Sequence, residues 1–175
     1  QTLGEGEDIA STFVEVSIRL ADLLKDRGEL GLAKGILTEA RAWVDRGSTE
    51  ASIDRGLASI SSIEGDSETA LRLLRRAIGR AMSSGAMTLL CDLYVDLATV
   101  LMRQSNLDAA RKELRECLDV VTMGEGLAAT SGPPTLWRVL RLKAQLTLTL
   151  GDSYRAMRIA EAALAHVIRA QSRVG

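Results

Sequence analysis

The stretch GDSYRAMRIAEAALAHV, residues 151–167, places alanines at fixed distances after its glycine. Ala156 follows Gly151 by five residues, and Ala163 follows Ala156 by seven. The same spacing of small residues begins at three earlier points of the chain, Gly28, Gly65 and Ser105. Four occurrences of one spacing indicate an internal repeat, and an internal repeat decides the fold.

Each repeat is centred on one residue, called here the turn residue: Gly28, Gly65, Ser105 and Gly151. Seven positions before it stand Ala21, Ala58, Ala98 and Ala144. Five positions after it stand Ala33, Ala70, Ala110 and Ala156, and twelve after it stand Ala40, Ala77, Cys117 and Ala163. Nine positions after it, three repeats have leucine and the fourth has alanine: Leu37, Leu74, Leu114 and Ala160.

This pattern predicts an antiparallel helix pair in every repeat. The turn residue, usually beside Asp or Asn, ends one helix and opens the next, and small residues on both sides allow the helices to approach closely. We expect first helices near 8–26, 49–63, 86–104 and 135–150, and second helices near 29–46, 66–84, 106–122 and 152–172. Residues 1–7 read as a frayed lead-in, and Gly47 and Gly85 separate repeats.

The domain prediction follows from these helices. The chain, 1–175, is expected to form a single all-α array of four repeats, with about eight antiparallel helices. The repeats lie at about 8–46, 49–84, 86–122 and 135–172, with a long inter-repeat loop at 123–134. Because the sequence begins at Gln1 without an initiator methionine, we expect the array to be a fragment of a longer chain.

Composition supports an all-α protein and limits its partners. Hydrophobic residues make up 46% of the chain, aromatic residues only 3%, and there are two prolines, as expected for helices packed with leucine and alanine. The net charge of −1 gives no general case for binding nucleic acid or an anionic membrane. The longest apolar runs are interrupted by charge, so no membrane span is predicted. Two cysteines form no disulfide framework, which favours a cytoplasmic location.

The spacing resembles that of the tetratricopeptide repeat (TPR) over nearly the whole chain. The turn residues match the second conserved glycine of that family, and the small residues around them match its conserved small positions. The aromatic positions of the family's first helix are mostly unfilled, with Ser17, Asp54, Tyr94 and Leu140 at one of them. The turn residues lie 37, 40 and 46 residues apart, against a family period of about 34. Such long, degenerate repeats are similar to those of bacterial signalling proteins.

The resemblance implies a right-handed superhelical solenoid whose first helices line a concave groove that binds a peptide or helix. Groove-facing positions lie thirteen, ten, six and three residues before each turn residue, a helical spacing. From them, together with Tyr94, we predict a partner-binding groove at Asp22, Arg55, Ser59, Tyr94, Val95, Thr99, Arg138, Arg141 and Gln145. The Lys and Asn clamp by which some TPR domains hold a C-terminal carboxylate is absent at Ile18, Asp22, Arg55 and Ser59.

Catalytic chemistry is not expected. The single histidine, His166, cannot build a His-based triad or a His-rich metal site, and Cys91 and Cys117 lack a CxxC partner. The glycine-containing segment GEGLAATSG has no GK[ST] and is therefore no phosphate loop. We predict no enzyme activity, no cofactor and no metal.

Two functions from different classes remain open. The first is a protein-interaction module in signalling or regulation. Its charge changes from a net −7 over residues 1–70 to +5 over residues 131–175, so an acidic segment of the partner is expected against Arg138 and Arg141. The second is a structural or self-assembly spacer that associates through its terminal repeats. The last helix has an apolar face, which predicts a homodimer through that helix: Met157, Ile159, Ala160, Leu164, Val167 and Ile168.

Overall fold

A computed structural model of the chain describes the backbone of residues 2–44, 47–125 and 136–171. Side chains are described for residues 10–44, 47–119 and 137–165 and for Ile168. These parts of the chain contain eight α-helices and no strand, which confirms the predicted all-α class. The helices are α1 Thr2–Asp26, α2 Leu30–Arg41, α3 Ser48–Ile63, α4 Ser67–Ser83, α5 Met87–Arg103, α6 Leu107–Glu125, α7 Leu136–Thr149 and α8 Ser153–Gln171.

The four turn residues all end a helix in the left-handed backbone region. Gly28, Gly65 and Gly151 have φ of 80°, 86° and 87°, and Ser105 has φ of 60°. In each case the next backbone N–H donates to the carbonyl five residues back, for example Asn106 N to Leu101 O at 2.9 Å. This is the Schellman pattern, which satisfies the carbonyls at a helix end and favours a residue that tolerates positive φ. The repeat spacing therefore marks the helix ends because these turns require it.

The residue after each turn residue directly precedes the second helix of the repeat. Asp66 accepts a hydrogen bond from the Thr69 backbone N–H at 3.0 Å, and Asp152 accepts one from the Arg155 backbone N–H at 2.9 Å. The bond from the Thr69 backbone holds the pKa of Asp66 below its usual value. Asn106 caps α6 in the same way, with 3.3 Å to the Ala109 backbone N–H. Glu29 makes no such side-chain bond at the start of α2.

The small positions of the repeat form the contacts between helices. Eleven of the twelve alanines and cysteines at these positions are buried, and Ala144 is half-buried. Leu37, Leu74 and Leu114 fill the space beside them, whereas Ala160 is exposed. A small side chain lets two helix backbones approach, and the neighbouring leucines supply the apolar surface that is removed from water.

The helices form two compact units, Gln1–Ala86 and Met87–Gly175. In the first unit, α1 pairs with α2 and α3 with α4, and α3 also packs against α2 and α1. In the second unit, α5 pairs with α6 and α7 with α8, and α7 packs against α6 and α5. Within each unit, the first helices of two successive repeats are therefore in contact.

A buried carboxylate joins three helices of the first unit. Asp54 on α3 has no exposed surface, and its oxygens accept hydrogen bonds from Arg41 on α2 and from Arg76 and Arg80 on α4. Arg76 Nε lies 2.8 Å from Asp54 Oδ2, and its second nitrogen lies 2.5 Å from Oδ1. The hydrogen bond with Asp54 raises the pKa of Arg76. Arg80 also forms an ion pair with a second carboxylate, that of Glu50.

Three helix bounds differ from those predicted. Helix α1 begins at Thr2, so residues 2–7 are helical and the predicted lead-in is wrong for them. Helix α2 ends at Arg41 rather than near 46, and α6 continues to Glu125, into the predicted loop at 123–134. The rest of that loop lies outside the described residues. Gly47 and Gly85 do separate repeats, with φ of 97° and 66°.

Candidate functional site

The predicted groove residues of the second unit lie on α5 and α7. These are the first helices of the third and fourth repeats, and they contact each other. Arg138 on α7 reaches across to α5, where its guanidinium lies 2.5 Å from Asp92 and 3.7 Å from Asp96. All three side chains are only partly exposed. The positive charge of Arg138 is therefore compensated within the unit, and an incoming acidic group would compete with Asp92.

Four exposed residues of α7 form a stripe, called here the α7 stripe: Trp137, Arg141, Gln145 and Leu148. The guanidinium of Arg141 lies 5.7 Å from the centre of the Trp137 ring, within the range of a cation–π contact. Residues at this spacing lie on one side of a helix. Exposed aromatic and arginine side chains are the types most enriched at protein interfaces.

In the first unit, the predicted groove residues lie on α1 and α3. Asp22 is exposed and pairs with Lys25 at 2.7 Å, one turn along the same helix. Arg55 and Ser59 on α3 are half-buried. Helix α1 contacts α3 in this unit. The predicted residues of each unit therefore lie on two helices that contact each other. That they form one groove through all four repeats remains a prediction.

Two of the predicted groove residues are wrong as contact residues. Tyr94 is only 6% exposed and Val95 only 5%, so neither offers surface to a partner. Tyr94 is the one aromatic residue at the repeat position where the TPR family usually has an aromatic side chain, and it is buried here. Burial raises the pKa of Tyr94 to about 12. Val95 packs inside the second unit, whereas Ile18 and Arg55 at the same repeat position are half-buried and Arg141 is exposed. Thr99 is half-buried and donates its hydroxyl to Val95 O at 2.8 Å.

The sequence reasoning missed the role of Asp54. A carboxylate at a position where the family has an aromatic residue was the available signal, but its three arginines lie on other helices. Each of the three arginines forms an ion pair with Asp54, and the carboxylate has no access to solvent. Such a group stabilises a geometry and cannot transfer a proton to a ligand.

Reactive groups are few in the described part of the chain. Cys91 and Cys117 are buried free thiols, and Cys117 Sγ lies 3.6 Å from the Cys91 carbonyl oxygen. The hydrogen bond with Cys91 is the main cause, and burial the second, that raises the pKa of Cys117. That thiol therefore stays protonated. No three His, Cys, Asp or Glu residues among those described are placed to share a metal ion. The side chain of His166 lies outside the described residues.

In residues 2–44, 47–125 and 136–171, no helix combines the length and apolar character that a membrane crossing requires.

Comparison with solved structures places the chain among helical-repeat proteins. The crystal structure of BtubC (BKLC) from P. vanneervenii superposes with a TM-score of 0.70 at 19% sequence identity, covering 95% of this chain and 74% of BtubC. A putative kinesin light chain from Podosopora anserina with nearly identical TPR-like repeats covers 90% of this chain and 96% of its own at 13% identity. Its TM-score is only 0.37. No protein-family model matches the sequence, and no curated protein does either.

These observations define a class of protein by its fold. The chain is an all-α helical-repeat protein made of antiparallel helix pairs. The spacing around Gly28, Gly65, Ser105 and Gly151, which resembles that of the tetratricopeptide repeat, marks the turn inside each of these helix pairs.

Proposed function

We propose that the chain is a non-catalytic protein-interaction module that binds a peptide or helix of a partner in signalling or regulation, in the bacterial cytoplasm. The α7 stripe is the observation that carries this proposal. It presents an aromatic ring, a guanidinium, an amide and a leucine on one side of one helix. A partner can bury the ring and the leucine while it hydrogen-bonds to Arg141 and Gln145.

The acidic part of the partner is assigned to Arg141. Arg138 already pairs with Asp92 and Asp96, whereas Arg141 is exposed and its described contact is with the face of Trp137. A ring beneath the guanidinium restricts its orientation, which lowers the entropy lost when a carboxylate binds. Of the two arginines expected to bind the acidic segment, we therefore assign only Arg141 to the ligand. Arg138 instead connects α7 to α5.

Selection of peptides from a random-peptide phage library on the purified chain tests the proposal. Selected peptides should bind the Trp137→Ala/Arg141→Ala variant at least about tenfold more weakly than wild type. The matched control is Lys112→Ala/Tyr154→Ala, which also removes one exposed cation and one exposed aromatic ring, from α6 and α8. It should bind like wild type. Failure to enrich any peptide, or equal affinity for both double variants, would contradict the proposal.

A second candidate is a structural or self-assembly spacer, and two exposed apolar stripes favour it. On α1 they are Phe13, Val16, Leu20 and Leu23, and on α8 they are Tyr154, Met157, Leu164 and Ile168. Several large apolar side chains in one row are unusual on a surface that faces only water. The predicted homodimer through the last helix would use the α8 stripe.

Light scattering on the purified chain over a range of concentrations tests this second candidate. A concentration-dependent dimer that Leu164→Glu/Ile168→Glu converts to a monomer would support association through α8. A monomer at all concentrations would exclude homodimerisation by the chain and leave the interaction module as the function.

A further inference from the structure

A cavity of about 300 Å³ lies between α6, α7 and α8 in the second unit. Four leucines line it, called here the leucine floor: Leu114, Leu118, Leu146 and Leu150. Four basic side chains also line it, called here the cationic rim: Arg111, Arg115, Lys143 and Arg155. Thr147 and Asp152 complete the lining. The cavity thus combines an apolar surface with a concentration of positive charge.

The charge of the cationic rim is not compensated by the residues that the structure describes. Asp152 is the one carboxylate in the lining, and it accepts the backbone N–H of Arg155 at the start of α8. Within that part of the chain, no rim residue forms an ion pair. Other cations of the same unit do form them: Arg138 with Asp92, Arg158 with Glu161, and Lys112 with Glu116. Four like charges around one concave surface raise its positive potential and attract anions.

The cavity is separate from the α7 stripe. Lys143, Leu146 and Thr147 come from α7, as do the residues of the stripe, and Leu150 directly follows the last residue of that helix. With 3.6 residues per turn, these four residues lie on the opposite side of α7 from Trp137, Arg141, Gln145 and Leu148. The two surfaces can therefore be altered independently.

The composition of the cavity favours an amphipathic ligand over a small inorganic anion. Leu114 and Leu146 are buried at its base, so a phosphate ion seated there would meet hydrocarbon rather than hydrogen-bond donors. Thr147 offers no free donor, because its hydroxyl already donates to Lys143 O at 2.7 Å. A leucine-sized side chain fits the volume and would cover the floor. Acidic groups on either side of that side chain would reach the rim.

From this geometry we infer that the cavity binds an acidic peptide segment of a partner protein, with one apolar side chain on the leucine floor and flanking carboxylates on the cationic rim. The inference rests on the proposed function in that it assumes a protein partner, but it assigns a different surface. Guanidinium groups suit carboxylates because they can donate two parallel hydrogen bonds.

The test uses the whole chain and a short fluorescein-labelled peptide in which a leucine is flanked on both sides by glutamates. Fluorescence anisotropy should show binding to wild type. Arg111→Glu/Arg115→Glu should weaken it by at least about tenfold, because two attractive contacts become repulsive. The matched control Lys112→Glu/Arg158→Glu makes the same change in net charge at two exposed positions outside the cavity. It should bind within about twofold of wild type.

A separate variant tests the leucine floor. Leu150→Gln replaces an apolar side chain at an exposed part of the leucine floor. It should weaken binding of the peptide without unfolding the chain. A peptide with alanine in place of the leucine should bind wild type and Leu150→Gln with similar, low affinity. Circular dichroism melts of all variants confirm that each one is folded.

Several outcomes would overturn the inference. They are absence of binding to wild type, an equal loss for the two charge-reversed variants, and displacement of the peptide by inorganic phosphate at the peptide's own concentration. A loss confined to Trp137→Ala/Arg141→Ala would also overturn it while supporting the proposed function, since the peptide would then lie on the α7 stripe. The proposed function fails separately, through the library selection described above.

Discussion

Arg138 and Asp92 stand at the same position of two successive repeats, relative to the turn residues Gly151 and Ser105, and they bind each other across the contact of α5 with α7. The pair carries opposite charges at a position that the repeat pattern predicts to face a ligand. Here the pair connects one repeat to the next. It leaves Arg141, one turn further along α7, as the exposed arginine of this surface.

The two arginines should therefore respond differently to substitution. Arg138→Ala removes the partner of Asp92 and should lower the free energy of unfolding by about 1 kcal/mol, a typical value for a partly exposed ion pair. Arg141→Ala should leave the free energy of unfolding unchanged and weaken binding of a library-selected peptide. Urea denaturation and anisotropy on the same two variants provide the measurement. Loss of stability in Arg141→Ala but not in Arg138→Ala would reverse the assignment.

The buried carboxylate of Asp54 gives a stronger effect. Asp54→Ala leaves Arg41, Arg76 and Arg80 close together without their shared counter-ion, and should lower the free energy of unfolding by about 3–5 kcal/mol. Glu15→Ala is the control, since it breaks a largely exposed pair with Arg19 on the surface of α1. The control should melt like wild type. Similar denaturation midpoints for the two variants would mean that the cluster does not hold α2, α3 and α4 together.

Ser105 and Gly65 offer a paired test of the turns. Both occupy the left-handed region, with φ of 60° and 86°, and a Cβ at Gly65 would meet no atom within 4 Å. Ser105→Gly should raise the free energy of unfolding by about 0.5–1 kcal/mol, because relief of backbone strain exceeds the added freedom of the unfolded chain. Gly65→Ser should lower it by a similar amount. Changes of the same sign in the two variants would argue against strain at these turns.

The small positions make a fourth stability prediction. Ala98 and Ala110 have no exposed surface, and enlarging either one to leucine forces two helices apart. Overpacking of this kind costs about 1–3 kcal/mol. Ala160→Leu is the matched control on α8, because that alanine is exposed at the repeat position where three other repeats have leucine. Equal melting temperatures for the three variants would show that the repeat register is misplaced.

The fold could be predicted from the sequence because its determinants are local. A turn such as that at Gly65 needs a residue that tolerates positive φ, and a close helix contact needs an alanine such as Ala70 five positions later. Both requirements recur in every repeat, so they appear as a spacing. The bounds of α1 and α2 were predicted less well, because no comparable residue marks the start of α1 or the end of α2.

The candidate site could be predicted only in part. The helical spacing brings Arg141 and Gln145 to an exposed surface, but it cannot show that Val95, at the corresponding repeat position, is covered by its neighbours. Ion pairs between distant residues, such as Arg138 with Asp92, depend on how helices pack. The cationic rim was missed for the same reason, since its residues come from three helices and share no spacing.

If a partner binds the exposed side of α7, a photoreactive group placed there should crosslink to it. A photoreactive amino acid replaces Gln145 on the α7 stripe or, in a matched variant, the exposed Ala160 on α8. Each variant is irradiated with a library-selected peptide. Binding at the α7 stripe predicts a crosslinked product from position 145 that unlabelled peptide suppresses, and little product from position 160. Efficient crosslinking from position 160 with none from position 145 would contradict it.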